Sequence, residues 1–537
     1  MPTRHAEIRR YLVPVNTVST KQRFTDCLVI GSGIAGLRAA LEAAETCTVT
    51  LVCKTKVSDS NTWNAQGGIA SVLAKTDSFE SHIEDTLRTG NGLCDRQVVE
   101  RVVAEGPDLI RQLIDWGTKF DRVDGQIDIS LEGGHSHARV VHSHGDETGR
   151  GIAETLIDRV HRNSNINLIE DFFAIDLLTD EHHECIGIIG YQAPGDMQII
   201  WASATILATG GAGRLYRETT NPEIATGDGL AMAWRAGAVL RDMEFMQFHP
   251  TTLYIAGASR ALITETLRGE GAILRDFNGQ PFMKEYDPRA ELAPRDVVSR
   301  AILDRMLKTQ STHVYLDIRH FDRDRFRRRF PLISYLCESF DIDVTTDLIP
   351  VRPSAHYMIG GVKADASAQT NIRRLFACGE VASTGLHGAN RLGSNSLLEG
   401  LVYGKIAGRS AAALVSTSGT VGYHRMQLEI PPSNRSLLDA DDVRNSLRAL
   451  MWRNVGITRQ ETPLTEAVEI IRFWQRYVMD KVFTNPFGWE CQNMLTVCLL
   501  MAHSAEQRKE SRGVHYRQDF PERDDANFGR HIELKHE

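Results

Sequence analysis

No apolar stretch in these 537 residues approaches the roughly 18–20 needed to span a bilayer. The first 25 residues are polar and mixed in charge, without the apolar segment of a secretory signal. They are expected to form a loosely ordered extension. The nine cysteines are scattered, odd in number and free of any Cys-x-x-Cys spacing. They indicate neither a disulfide framework nor a thiolate metal site, and fit a reducing compartment, the cytoplasm. His182-His183 beside Cys185 lies in a charged turn and is not read as a metal site. Basic charge is not in excess, with Lys plus Arg at 61 against Asp plus Glu at 69. The basic run Arg323–Arg329 is read as a solvated helix face rather than a nucleic-acid surface. Internal repeats and low-complexity tracts are also lacking. What is left is an ordinary globular composition, 42% hydrophobic and 24% charged, long enough for about two to four domains.

The most informative segment is Asp26-Cys-Leu-Val-Ile-Gly31-Ser32-Gly33-Ile34-Ala35-Gly36, a short apolar run feeding a Gly-x-Gly-x-x-Gly turn and then an Ala/Leu-rich helical stretch. Gly31 suits a tight turn, and Gly33 a close backbone approach to a pyrophosphate. Gly36 suits close packing of helix on strand, with the helix N-terminus facing the phosphates. A glycine-rich turn without a ligand is the alternative. Val49–Val52 reads as the next strand. An acidic residue near its end would hold a ribose hydroxyl, but Cys53-Lys54 stands there. That argues against ordinary NAD recognition and favours FAD.

Strand and helix patterns alternate from residue 26 to about 242 in the manner of a doubly wound α/β domain. Residues 243–356 are richer in Arg, Asp and Phe and read as an inserted α+β capping domain. Arg374–Glu380 and a helix from about Ser396 to Leu414 resume the first texture. The nucleotide domain is therefore expected to be a discontinuous Rossmann-like unit, 26–242 and 357–415. Residues 416–436 read as a linker. Residues 437–537 hold three amphipathic helical patterns, expected as a three-helix bundle.

Several loops carry chemistry-bearing side chains. Asn61, Thr62, Ala65, Gln66, Gly67 and Gly68 suit a loop that runs along a flat polar ring system, with an irregular surface loop as the alternative. Glu132 precedes Gly133-Gly134-His135. His249 precedes a proline and so sits in an extended segment. Thr264 and Glu265 stand close to Arg268 and several glycines, and Arg295 follows Pro294 at a helix start. His356 and Arg391 lie in glycine- or proline-marked loops. Each alone reads as structural. Together they form the set of His and Arg residues that a small dicarboxylate requires, with an acid available for an α-ammonium group.

Over nearly the whole chain, from Asp26 to about Pro521, these segments resemble the flavoprotein family of succinate dehydrogenases, fumarate reductases and L-aspartate oxidases. The resemblance rests on Gly31–Gly36, Ala65–Gly68, Ala208-Thr209-Gly210-Gly211-Ala-Gly213 and Thr226-Gly-Asp228-Gly229. It continues through Gln247–Pro250, Arg268–Gly271, Ala293–Asp296, His356–Gly361 and Cys378-Gly-Glu380. Gly388–Arg391 and Ser394-Asn395-Ser396-Leu397-Leu-Glu399 complete it. It implies FAD at Gly31–Gly36, Lys54, Asn61, Thr62, Ala65–Gly68, Ala174, Thr209, Gly210, Asp228, Glu380, Asn395, Ser396 and Leu397, with no metal.

Two features resemble the aspartate-oxidising branch. Asn61 occupies the position, five residues before Gln66, where the dehydrogenases and membrane fumarate reductases carry a flavin-linking histidine, so noncovalent FAD is implied. Glu132 supplies an acid for the substrate ammonium. In that branch hydride passes from the α-carbon of L-aspartate to the flavin, which oxygen or fumarate then reoxidises. The iminoaspartate formed is the first intermediate of quinolinate and NAD biosynthesis, with a hand-off to quinolinate synthase. Arg295 matches the family's proton-transferring residue, with Asp296 and Glu265 as expected neighbours. His249, His356, Arg391, Thr264 and Glu265 would surround the carboxylates. The alternatives are a soluble fumarate reductase, a succinate dehydrogenase flavoprotein subunit, or a non-catalytic FAD-binding scaffold.

Overall fold

The computed structural model describes residues 9–257, 260–419 and 421–536. Its central sheet is entered early and revisited late. Lys21–Ile30 ends in the apolar run Cys27–Ile30 and pairs in parallel with Val49–Val52 on one side and Met197–Leu207 on the other. Val49–Val52 pairs in turn with Ile166–Ile169. Met197–Leu207 has two partners along its other edge, antiparallel Cys185–Gln192 and parallel Leu375–Ala377, and Phe172–Thr179 pairs with Cys185–Gln192. Parallel strands covered on both faces read as unbroken apolar runs, and Val29, Leu51, Ile206 and Ala377 are all buried. Because Leu375–Ala377 rejoins the sheet after a long excursion, the nucleotide-type body is discontinuous in sequence.

Helix Ile34–Ala43 packs on helix Asn395–Ser418 through glycines spaced four residues apart. A Cβ at Gly400 would stand 2.5 Å from Ile34 Cγ2, one at Gly404 2.6 Å from Ala35 O, and one at Gly408 2.5 Å from Ala39 O. The spacing puts all three on one helix face, and bare backbone is what brings the two helices together.

The excursion builds a second body. Met246–Leu253, Ile349–Met358, Val314–Asp317 and Ile273–Arg275, in that order, form an antiparallel sheet against which helix Arg295–Lys308 packs. Leu253, Leu274, Ile302, Val314, Phe330 and Ile349 belong to its own apolar core. Its sheet spans 246–358, against the 243–356 read from composition. Arg323–Arg329 is helical and is followed by helix Pro331–Ser339.

Three C-terminal helices follow, Ala440–Asn454, Glu461–Val478 and Pro486–Gln507. They do not close on one another alone. Val443, Leu447, Leu464, Ile471, Met494 and Cys498 share one apolar cluster with Leu207, Trp234 and Met358. The chain then folds back, and Glu533–Leu534 pairs with Leu240–Arg241. No helix among the described residues is long and apolar enough to cross a membrane.

Two local expectations are corrected. The first eight residues of the expected N-terminal extension lie outside the described residues, but the remainder is not loose. Tyr11, Leu12, Val13 and Val15 are buried with Phe173, Ile175, Trp201 and Trp489. Leu12 N donates to Asp176 Oδ2 at 2.7 Å, and the first long strand already begins at Lys21. The cause is a four-residue apolar patch too short to show a period. The expected linker 416–436 is likewise shortened and tied down. Helix Asn395–Ser418 takes its first residues, and Gln427–Leu428 pairs with Val15–Asn16.

Candidate active site

The glycine turn is dictated by space. Gly31 has φ +111°, and a Cβ there would come within 2.2 Å of Ala208 O. A Cβ at Gly36 would lie 1.9 Å from Gly31 O, so Gly36 supports the turn from below. Ile34 N donates to Thr62 Oγ1 at 3.0 Å, which ties the start of helix Ile34–Ala43 to the second loop. A cavity of about 890 Å³ opens at this point. Its walls include Gly31, Ser32, Gly33, Ile34, Ala35, Lys54, Asn61, Thr62, Ala65, Gln66, Ala174, Thr209, Gly210, Asp228, Glu380, Ser396 and Leu397.

Gly36, Gly67, Gly68 and Asn395 are not in the walls. A Cβ at Gly68 would stand 2.2 Å from Val141 O. Asn395 is turned to other partners, with Oδ1 2.9 Å from His82 Nε2 and Nδ2 donating to Thr86 Oγ1.

The residues present fit FAD. The cavity is of cofactor size, and a helix N-terminus meets it at the glycine turn, as a pyrophosphate needs. Two buried polar atoms of wall residues, Thr209 Oγ1 and Gln66 Oε1, have no partner among the described residues. Lys54 Nζ, by contrast, is already engaged. It donates to Asp228 Oδ2 and Thr226 Oγ1, each at 2.9 Å, and pairs with Glu490. Burial opposes its charge, but Asp228 and Glu490 outweigh burial and raise its pKa. Asn61 Nδ2 donates to Asn221 Oδ1 and Glu380 Oε2, both at 3.3 Å. Burial pushes the Glu380 carboxyl up to about 7 despite its bond from Met358 N.

At the other end, two neighbouring strands bring the histidines together. His249 on Met246–Leu253 and His356 on Ile349–Met358 have ring centroids 5.2 Å apart. His249 Nδ1 lies 3.1 Å from Thr251 O and 3.3 Å from Thr251 N, and its buried Nε2 has no partner among the described residues. His356 Nδ1 is 2.9 Å from Thr220 Oγ1. Burial holds both imidazoles well below their ordinary value, aided by the Arg295 guanidinium at His249 and by Arg391 and Arg295 at His356.

Arg295 is the first residue of helix Arg295–Lys308. Its Nε donates to Glu265 Oε2 at 2.6 Å and its Nη1 to Gln247 Oε1 at 3.1 Å. Glu265 Oε1 accepts from Arg268 Nη2 at 2.7 Å. Burial opposes the charge of Glu265, but the two guanidiniums keep its pKa below the ordinary value. Asp296, the other expected neighbour of Arg295, instead accepts from Asn390 and pairs with Arg300. Arg391 Nε reaches Gln247 Oε1 at 3.2 Å, and its guanidinium lies 4.2 Å over the Tyr357 ring. Arg391 has no ion pair among the described residues. Burial and the Arg295 charge bring its pKa down to about 10.

Glu132 is buried, with Oε1 accepting from Thr266 Oγ1 at 2.9 Å and His142 Nε2 at 3.3 Å, and Oε2 from Ser394 Oγ at 2.7 Å. Burial pushes its pKa up, but the contacts with His142 and Ser394 hold it below the usual carboxylate range. Thr264 Oγ1 is 3.2 Å from Thr266 Oγ1. His356 and Arg391 lie in the main cavity wall. His249, Thr264, Glu265, Arg295 and Glu132 are not in that wall. Arg295 joins it through Gln247 and Arg391, Glu265 is attached through Arg295, His249 lies against His356, and Thr266 bonds both Thr264 and Glu132.

A family model described as FAD binding domain matches residues 26–397, and one described as fumarate reductase flavoprotein C-term matches 444–537. The L-aspartate oxidase 2-b, chloroplastic, of Nicotiana tabacum is 43% identical over 529 residues, 93% of this chain and 82% of the relative. The chain belongs to the L-aspartate oxidase family. The L-aspartate oxidase of Streptomyces coelicolor is 41% identical, covering 95% of this chain and 91% of the relative. Among solved structures, a quinol fumarate reductase of E. coli superposes with a TM-score of 0.89 at 35% identity, covering 96% of this chain and 94% of that one. The cofactor is FAD.

In this member of the L-aspartate oxidase family, Gln247, visible in the sequence only as part of the Gln247–Pro250 motif, links the two arginines. Its Nε2 donates to Asn390 Oδ1 at 3.0 Å and Arg391 O at 2.8 Å. Those bonds fix the amide so that Oε1 faces both Arg295 and Arg391. Thr266 and His142 around Glu132 were not singled out in the sequence, and Ser394 and Arg268 stood there only as motif members without an assigned role. Ser394 directly precedes helix Asn395–Ser418, and its one sequence signal was a polar residue at a helix cap position, although its hydroxyl goes to Glu132 rather than to the helix.

Proposed function

We propose that the chain oxidises L-aspartate to iminoaspartate, with noncovalently bound FAD as the hydride acceptor. The reading is carried by one observation, the convergence of two guanidiniums, Arg295 and Arg391, on a single neutral acceptor, Gln247 Oε1. Two cations sharing one amide oxygen are poised for an anion, and planar guanidiniums suit carboxylates. Glu132 supports the amino-acid form of the substrate. It is buried and ionised, and Oε2 accepts only from Ser394 among the described residues. A carboxylate oxygen has room for a second donor, which an α-ammonium would supply.

FAD, when bound, supplies the two-electron acceptor. The chain's own residues do the rest. His249 becomes a carboxylate donor as the Nε2–H tautomer, with Nδ1 accepting from Thr251 N. His356 does the same when the Thr220 hydroxyl donates to its Nδ1. Arg295 is the proton-transfer residue of this proposal. An arginine ordinarily holds its proton beyond pH ~12, so it needs a fixed position and a neighbouring route. Glu265, bonded to Arg295 on one side and Arg268 on the other, provides that route. Arg295 Nη2 makes no hydrogen bond to the described residues and is the nitrogen left for the substrate.

Oxygen or fumarate accepts the electrons, and iminoaspartate passes to quinolinate synthase. A cytoplasmic location belongs to the same proposal. The test is steady-state turnover of purified holoenzyme with L-aspartate. Peroxide should form in air, and fumarate should be reduced to succinate without oxygen. Neither product, with flavin bound, would end the reading.

A further inference from the structure

Glu132 is held from two bodies. Glu132 and His142 belong to the FAD-binding body, flanking the small sheet of Ile129–Ser130 and Val140–Val141. Arg329 is the last residue of a helix in the capping body. Arg329 Nη2 lies 3.3 Å from His142 Nδ1, and His142 Nε2 lies 3.3 Å from Glu132 Oε1. His142 and Glu132 are almost without solvent contact, and Arg329 is 16% exposed.

The chemistry of the end groups sets the middle one. A guanidinium can only donate, so Nδ1 is left the accepting role. An ionised carboxylate can only accept, so Nε2 must carry the proton. Both ends therefore ask for the same tautomer, which is inferred from the partners rather than from observed hydrogens. The contact exists because the two bodies are docked at this point. Asp146 in the FAD-binding body accepts from Leu332 N at 3.1 Å and Ile333 N at 2.9 Å, at the start of the next capping helix. A Cβ at Gly145 would stand 2.7 Å from Arg329 O.

We propose that Arg329 and His142 are positioning residues for substrate discrimination. Arg329 fixes His142 as the Nε2–H tautomer, and His142 in turn holds the Glu132 carboxylate oriented for the substrate ammonium when the capping body is docked. The inference rests on the reading of Glu132 given above. It makes selection of an amino acid over a plain dicarboxylate depend on a residue of the capping body that contacts neither Glu132 nor the Arg295–Arg391 pair.

The test uses flavin-loaded variants, with bound FAD verified by absorbance. KM for L-aspartate and the inhibition constant of succinate, its analogue without the amino group, are measured on each. Arg329→Leu should raise the aspartate KM about tenfold, the scale of a weakened hydrogen bond to a charged group. The succinate constant should stay within about twofold. His142→Phe should behave alike. Arg329→Lys keeps an obligate donor and should restore most of the aspartate affinity, which a general structural defect would not allow. In a Glu132→Gln background, Arg329→Leu should add nothing further, because the pair acts through one carboxylate. Equal losses for both ligands, or losses that add to those of Glu132→Gln, overturn the proposal. An unchanged aspartate KM in Glu132→Gln alone is a separate outcome, which removes the underlying assignment of Glu132.

Discussion

Replacing Glu265 by glutamine alters one functional group and leaves the volume nearly the same. In the native site each carboxylate oxygen accepts one guanidinium bond, from Arg295 at 2.6 Å and from Arg268 at 2.7 Å, and all three side chains are buried. Glutamine keeps one accepting oxygen, so one arginine would face an amide N–H that cannot accept. It also removes the negative charge between two positive ones. Hydrogen bonds to charged groups contribute about 1.5–3 kcal/mol each, and breaking a buried ion pair costs about 3–5 kcal/mol. A loss of roughly 3–5 kcal/mol in the unfolding free energy of the capping body is expected. The catalytic effect comes from displacement of Arg295, and a displaced catalytic group costs on the order of a hundredfold in rate. Denaturant unfolding reads the first effect, and the rate of flavin reduction by L-aspartate under anaerobic rapid mixing reads the second. A variant with bound flavin, native stability and native reduction rate would refute the role given to Glu265.

Other expectations follow from the same geometry. Arg295→Leu should abolish turnover while FAD stays bound, and surviving activity would remove Arg295 as the proton-transfer residue. Acid or heat denaturation should release the flavin into the filtrate, because Asn61 offers no nucleophile for a covalent link, and flavin retained on the unfolded chain would contradict this. Gly404→Ala should destabilise the protein by about 1–3 kcal/mol and weaken FAD binding, since its Cβ would press on Ala35 O at 2.6 Å and shift helix Ile34–Ala43. An unchanged melting temperature would show that the helices part without cost. Glu380 has a folded-state pKa raised to about 7 from 4.5. Its protonated form therefore contributes stability that is full below about 4.5 and lost as pH rises through about 7. Thermal stability of Glu380→Gln should fall less across that window than that of the unchanged protein, and equal slopes would discount the shift.

What was legible in the sequence was what short-range sterics and periodicity dictate. Gly31 and Gly36 announced the turn because no Cβ fits beside Ala208 O or Gly31 O. The parallel strands announced themselves as short apolar runs, and the discontinuous body as a return of the same texture near Arg374. The histidines and arginines, each structural in appearance when taken singly, read together as a dicarboxylate set from their glycine- and proline-marked loops, and only the family resemblance gave them separate roles. What stayed hidden depends on distant juxtaposition. Gln247 could not be seen to bridge Arg295 and Arg391 until their loops met. Asp296 looked as good a neighbour for Arg295 as Glu265, until Asn390 and Arg300 were seen to occupy it. Residues 11–15 gave no period, yet they fill a hollow beside Trp201 and Trp489. The three C-terminal helices were recognised by their spacing, but not their merger into the core of the nucleotide body.

The central claim is that this site strips a hydride from an amino dicarboxylate. It is tested most directly by mixing the holoenzyme with L-aspartate in the absence of oxygen and following flavin absorbance, with succinate as the comparison. The account predicts rapid bleaching by L-aspartate and little by succinate, with Glu132→Gln narrowing the difference. Flavin that stays oxidised with L-aspartate, or that bleaches equally with both, would contradict it.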